Sequence, residues 1–150
     1  MSVEQETVEF EVGEQRQDYR FFTSIPTRWN DNDMLGHVNN VVYYSYFEAV
    51  VIQFLMQETA VDWVKGPVSP LAVETLCRFR RSLSFPMIVD AGLRVDKIGN
   101  TSVTYSIGLF PQDEDLISAY GHFVHVYVDR ATEKPTPIPD DIRATYERFL

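Results

Sequence analysis

Residues 41–58, VVYYSYFEAVVIQFLMQE, decide the fold. They pass without a Gly, a Pro or any other turn signal, and that length exceeds an ordinary strand even though the valines and tyrosines would suit one. The stretch reads as a helix, and Asn39 and Asn40 stand before it as N-caps do. Ser45, Glu48 and Gln53 interrupt it too often for the roughly 20 apolar residues that a bilayer crossing requires. A helix this apolar is expected to be buried nearly all round.

Strands flank it on both sides. Upstream, Phe21, Thr23, Ile25, Thr27 and Trp29 alternate as one strand face, and Pro26 makes that strand an edge or a bulged one. Downstream, after the breakers Gly66-Pro67 and Ser69-Pro70, Leu71, Val73, Thr75, Cys77 and Phe79 alternate with Glu74, Arg78 and Arg80, as in a half-buried strand. Residues 89–98 and 101–110 predict two more strands joined by a two-residue hairpin at Gly99-Asn100, a dipeptide that tolerates positive φ. A turn at residues 112–115 and a long strand over 116–129 complete an expected four-strand meander. Pro135, Pro137 and Pro139 form a stiff connector, and Ile142, Tyr146 and Phe149 stand at helical spacing. One apolar helix and a largely antiparallel five-stranded sheet pack best as an α+β domain in which the sheet curls around the helix. Free strand edges then predict a symmetric dimer.

Composition narrows the function. A chain of 150 residues is one domain by size, long enough to bury about 70% of its unfolded surface. A formal charge of −9 makes a nucleic-acid footprint an unfavourable reading. Much of that charge sits in residues 1–18, where Glu4, Glu6, Glu9, Glu11, Glu14 and Asp18 face a single base, Arg16. This leader lacks the basic start and apolar run of a secretory signal, and is expected to be a solvated, flexible tail before a domain over 19–150. The single Cys77 excludes an internal disulfide framework and suits a reducing, cytoplasmic compartment.

The chemistry concentrates between the first strand and the helix, in Asp31, Asp33, Gly36, His37, Val38, Asn39 and Asn40. A carboxylate ahead of a helix N-terminus faces unsatisfied backbone N–H groups and the positive end of the helix dipole. An acid–base group and an oxyanion site are thereby side by side, which is what hydrolysis of a thioester needs. The bland alternative is that Asp and Asn here only cap the helix.

The pattern D-x-D-x-x-G-H-V-N-N-x-x-Y over residues 31–43, followed by Tyr46-Phe47-Glu48, resembles the hotdog-fold acyl-CoA thioesterases of the 4-hydroxybenzoyl-CoA thioesterase type. The resemblance extends over about residues 20–139, and VDRATEKPTPIP at 128–139 is similar to the family's close. It implies a hotdog fold and hydrolysis of a fatty or aromatic acyl-CoA to free acid and CoA. Asp33 would be nucleophile or general base, and the Asn40 N–H would be aimed at the thioester carbonyl. It also implies that a partner subunit completes the cleft, in a homodimer or homotetramer, while His37 reads either as orienting water or Asp33 or as simply hydrogen-bonding the loop. Gly36 is expected to allow close backbone approach, and Asn39 to lie at the substrate. Asp31 and Glu48 read as structural more than catalytic. The motif is also similar to that of plant acyl-ACP thioesterases, but Leu35 stands where their functional Asn stands, which weakens a transfer of their mechanism.

Arg78, Arg80 and Arg81 form a basic cluster that could meet the phosphates of coenzyme A, with Arg78 and Arg80 on one strand face and Arg81 on the other; a solvated strand face is the plain alternative. His122 and His125, three apart on a strand, point to opposite faces and cannot share a metal. Cys77 reads as a small buried hydrophobe. No G-x-S-x-G, G-x-G-x-x-G or P-loop occurs, so the chemistry is expected to need neither metal nor cofactor. Two other classes stay open: a hotdog hydratase or dehydratase acting on an acyl thioester, and a non-catalytic acyl-CoA binding module.

Overall fold

The computed structural model describes residues 13–150. Strand β1 (Phe21–Pro26), helix α1 (Asn40–Glu58), strands β2 (Val68–Phe79), β3 (Ile88–Ile98), β4 (Ser102–Pro111) and β5 (Ala119–Asp129), and helix α2 (Asp140–Glu147) follow in that order. The strands form one antiparallel sheet in the order β1-β3-β4-β5-β2, curled around α1. This is the expected α+β hotdog architecture, and no helix among the described residues is long and apolar enough to cross a membrane.

The meander is shorter than expected. Only β3, β4 and β5 are consecutive neighbours; β2 docks on the far side of β5, and β1 takes the place beside β3. The helix needs cover on both flanks, and the strand that leaves it closes the flank opposite β1. The link from β2 back to β3 crosses the end of the sheet, planting fully buried Leu83 in the core and pairing its carbonyl with the Val38 N–H at 2.8 Å. Nor is the β3–β4 turn a two-residue hairpin. Ile98 pairs with Val103, Gly99 donates to the Ser102 carbonyl at 2.7 Å, and neither Gly99 nor Asn100 adopts a positive φ.

Alternation along β2 breaks at a bulge between Ala72 and Glu74. Thr75, Cys77 and Phe79 keep the face toward α1, whereas Leu71, paired with Val126, shares the outer face with Glu74 and Arg78. Leu71 and Val73 are 47% and 59% exposed, so the strand is not half-buried along its length but forms an open sheet edge. Helix α1 is likewise not buried all round. Tyr43, Tyr46, Phe47, Val50, Val51, Phe54 and Leu55 enter the core, while Val41, Ser45, Glu48, Ala49, Ile52 and Met56 stay exposed along one stripe.

Phe54 is the hub of the core. Phe21, Tyr146 and Phe149 lie 5.5, 6.2 and 4.9 Å from it between ring centroids, joining β1, α1 and the C-terminal helix. A fully buried aromatic of this kind contributes about 1.5–3 kcal/mol over an exposed one. Ile142 and Tyr146 form the buried face of α2, with Phe149 just past the helix end rather than in it as expected, and the Tyr146 hydroxyl bonds those of Tyr105 and Tyr127.

The expected tail is not free over its last part. Residues 13–20 strap the outer face of the sheet, and the first twelve residues lie outside the described ones. Tyr19 lies over Gly92 and Gly108, which face each other across β3 and β4; a Cβ at either would meet its ring at 2.8 or 2.5 Å. Its hydroxyl donates to the Gly13 carbonyl. Arg16 adds an ion pair with Asp90 at 3.0 Å and stacks over Phe110.

Candidate active site

The loop ahead of α1 is a tight reversal built from its own polar groups. Asn32 bridges to Val38, the Asp33 N–H donates to the His37 carbonyl at 2.9 Å, and the Gly36 N–H donates to the Asp33 carbonyl at 3.1 Å. Gly36 has φ +81° with open space where a Cβ would stand, so what requires glycine within the chain is the left-handed turn. Asp33 uses one carboxylate oxygen to accept the Leu35 N–H at 2.8 Å. That bond orients the carboxylate, and Oδ2 keeps no partner among the described residues.

Asp31 is the loop's anchor. It is 1% exposed and accepts from the Arg28 backbone at 2.8 Å, the Arg28 guanidinium at 2.9 and 3.0 Å, and the Tyr46 hydroxyl at 2.7 Å. Burial pushes its pKa up, but the bonds from the Arg28 backbone, the Tyr46 hydroxyl and the Arg28 guanidinium outweigh it and hold the carboxyl below the usual range. Its backbone carbonyl takes the Asn39 N–H at 2.9 Å. Asn39 in turn caps the helix, its Oδ1 accepting the Val41 N–H at 3.0 Å. With Asn39 and Val41 both engaged, the Asn40 N–H opens the helix without a hydrogen-bond partner among the described residues.

Asp33, His37 and Asn40 come together as lining of one cleft of about 230 Å³, with Leu35, Val38, Tyr43, Phe79, Arg80, Arg81 and Ser82. Asn39 and Gly36 stand in its loop but do not line it. The opposite wall is the end of β2 and the link after it. The Tyr43 hydroxyl accepts the Leu83 N–H at 3.1 Å, Asn32 Oδ1 accepts the Phe85 N–H at 3.0 Å, and Arg80 and Arg81 both donate backbone N–H groups to the Ser118 carbonyl. Tyr43 and Ser82 carried no role in the sequence reading. Tyr43 had a signal, its fixed place in the motif, whereas Ser82 had none.

Arg78 and Arg80 share the outer face, their guanidinium carbons 5.8 and 5.5 Å from the same Tyr120 ring. Arg80 lines the cleft; Arg78 instead borders a separate cavity of about 140 Å³ on the outer face with Tyr19, Ser106 and His122. Arg81 turns to Glu114 at 2.8 Å. Glu48 is exposed on α1 and does not line the cleft. His122 meets Glu74 at 3.0 Å on the outer face, and His125 is buried on the inner one between Tyr105 and Phe123. Burial pushes the Cys77 thiol up to about 12, far from a thiolate at neutral pH. Among the described residues no three His, Cys, Asp or Glu side chains converge as metal ligands.

This arrangement offers an oriented carboxylate, an unpaired N–H at the positive end of a 19-residue helix, and an imidazole in one cleft. Comparison with known proteins gives the family. The description of the thioesterase-like superfamily matches residues 27–145. The crystal structure of the PA5185 protein from Pseudomonas aeruginosa is similar at 38% identity, with a TM-score of 0.88 over 91% of this chain and 96% of that one. A predicted thioesterase from Bacillus stearothermophilus is 25% identical, with a TM-score of 0.76 over 87% of this chain and 96% of that one. A 1,4-dihydroxy-2-naphthoyl-CoA thioesterase from Synechocystis shares the fold at 13% identity, with a TM-score of 0.77 over 84% of this chain and 94% of that one. The superfamily match spans the central helix, strands β2 to β5 and the cleft, and the chain belongs to the thioesterase-like superfamily as a hotdog-fold thioester hydrolase.

Proposed function

We propose that the protein hydrolyses the thioester of a fatty or aromatic acyl-CoA, with Asp33 as the reacting carboxylate and the Asn40 N–H as the oxyanion donor. The observation that carries this reading is the pairing of two unspent groups in one cleft. Asp31, Asn32, Asn39 and Asp33 Oδ1 are committed to holding the loop, while Asp33 Oδ2 and the Asn40 N–H have no partner among the described residues. The thioester carbonyl oxygen accepts from Asn40, where the helix dipole favours the negative charge of the tetrahedral intermediate.

Asp33 then acts in one of two ways. Attacking the carbonyl carbon, it displaces the CoA thiolate and forms a mixed anhydride that water hydrolyses. As a general base it takes a proton from water while the water oxygen attacks, and the proton passes to the departing sulfur. Both give a free acid and CoA. In this reading His37, which lines the same cleft, orients the water or the carboxylate. Arg78 and Arg80 are the proposed contacts for the coenzyme's phosphates, and Gly36 and Asn39 hold the loop against which the thioester lies. No metal or cofactor enters these steps.

The open edge of β2 with exposed Leu71 and Val73, and the exposed stripe of α1, support a homodimer or homotetramer as the active form. Thiol release from a panel of acyl-CoA esters tests the function. Turnover with stoichiometric free thiol supports hydrolysis, whereas consumption of an enoyl-CoA without thiol release contradicts it. Sedimentation at assay concentration tests the assembly, which a fully active monomer would contradict.

A further inference from the structure

The N-terminal strap reaches the cleft through one side chain. Glu14, 5% exposed, brings Oε1 to 2.7 Å from Arg80 Nε, and Arg80 Nη2 donates to the Tyr120 hydroxyl at 3.1 Å. Arg80 is 48% exposed, so its outer nitrogens still meet solvent while its inner ones are held. The carboxylate is itself fixed. The Tyr19 ring sits over Gly92 and Gly108, Asp18 Oδ2 accepts the Gly13 and Gln15 N–H groups at 3.0 and 3.1 Å, and Arg16 is tied to Asp90, Pro111 and Glu114. The strap lies outside the residues 27–145 matched to the superfamily. Nothing in the proposed chemistry uses it.

A guanidinium free to rotate loses rotamer entropy when it binds a phosphate, and one already oriented by a buried carboxylate does not. With Nε and one Nη2 hydrogen held, Nη1 and the second Nη2 hydrogen keep no partner among the described residues, a pair of donors that suits two phosphoryl oxygens. The charge of Arg80 is offset by Glu14, but Arg78, over the same Tyr120 ring and without an ion pair among the described residues, keeps the patch positive.

We infer that Glu14 is a positioning residue, which orients Arg80 at the rim of the cleft to receive a phosphoryl group of the substrate's thiol carrier. This rests on the acyl-thioester reading above. It goes beyond it in giving the strap a role in binding.

The test compares wild type, Glu14→Gln, Arg80→Lys and the double variant on three esters of one acyl group: the CoA ester, the phosphopantetheine ester with its single phosphate, and the N-acetylcysteamine ester with none. Glu14→Gln should raise KM for the CoA ester by about three- to tenfold with kcat nearly unchanged, and leave the phosphate-free ester unaffected. A rise on the phosphopantetheine ester as well assigns the contact to its phosphate; a rise on the CoA ester alone assigns it to the nucleotide's phosphates. The double variant should lose no more than the worse single one, because both act through one guanidinium. An unchanged KM in Glu14→Gln, equal losses with the phosphate-free ester, or additive losses would overturn the proposal. Should wild type turn over no ester, the thioester reading falls, and titration calorimetry with free coenzyme A decides the role of Glu14. Binding about three- to tenfold weaker in Glu14→Gln supports it. Equal binding, or no binding by wild type, overturns it.

Discussion

The Tyr46 hydroxyl donates to Asp31 Oδ2 at 2.7 Å, tying the second turn of α1 to the loop that precedes its first. The bond crosses fifteen residues of chain and is buried, so it fastens the helix to the loop before it. Tyr46→Phe removes the donor and leaves Asp31 partly unsatisfied, at a cost of about 1–2 kcal/mol in urea unfolding. Because Asp31 titrates lower folded than unfolded, its contribution is present at neutral pH and is lost as pH falls through the folded value. A Tyr46→Phe protein as stable as wild type at pH 7 would show that the bond contributes nothing.

His125 sets a second pH dependence. It is 4% exposed, Nδ1 has no partner among the described residues, and Tyr105 and Phe123 close over the ring. Burial lowers its pKa to about 4, against an unfolded value of about 6.5. Between those values the unfolded chain binds the extra proton, so stability is full above about pH 6.5 and declines toward pH 4, by on the order of 3 kcal/mol. Unfolding curves of His125→Phe across that range should be flatter than those of wild type by that amount; parallel curves would contradict a neutral buried imidazole.

Gly108 makes room for the strap. An added methyl group would meet the Tyr19 ring at 2.5 Å, so Gly108→Ala should displace Tyr19 at a cost of about 1–3 kcal/mol. In a Tyr19→Ala background the same change should cost far less, and a double-mutant cycle of thermal unfolding reads the difference. Equal costs in the two backgrounds would mean that the glycine serves the sheet and not the strap.

Much of this molecule is legible before its coordinates, and the unread parts share a cause. The helix, the strand count, the Asn39 cap and the convergence of Asp33, His37 and Asn40 all follow from local pattern or motif. The order of β2 in the sheet does not, because it depends on which flank of α1 lacks cover. The face of Leu71 does not, because one bulge at Ala72/Glu74 inverts it and leaves Val73 unpaired. Glu14 looks like one more acid of a solvated leader, and only the trench made by Gly92 and Gly108 reveals what seats it. The exposed side of α1 is hard to read from periodicity, since Val41, Ile52 and Met56 share it with Ser45 and Glu48.

Thiol release by Asp33→Asn tests the central claim most directly. The amide keeps the shape and the bond from the Leu35 N–H, so the loop should fold as before, while the reacting carboxylate is gone. Turnover on the best acyl-CoA ester should fall by at least about a hundredfold with unfolding behaviour close to wild type. Near wild-type turnover in this variant would contradict the assignment of the chemistry to Asp33.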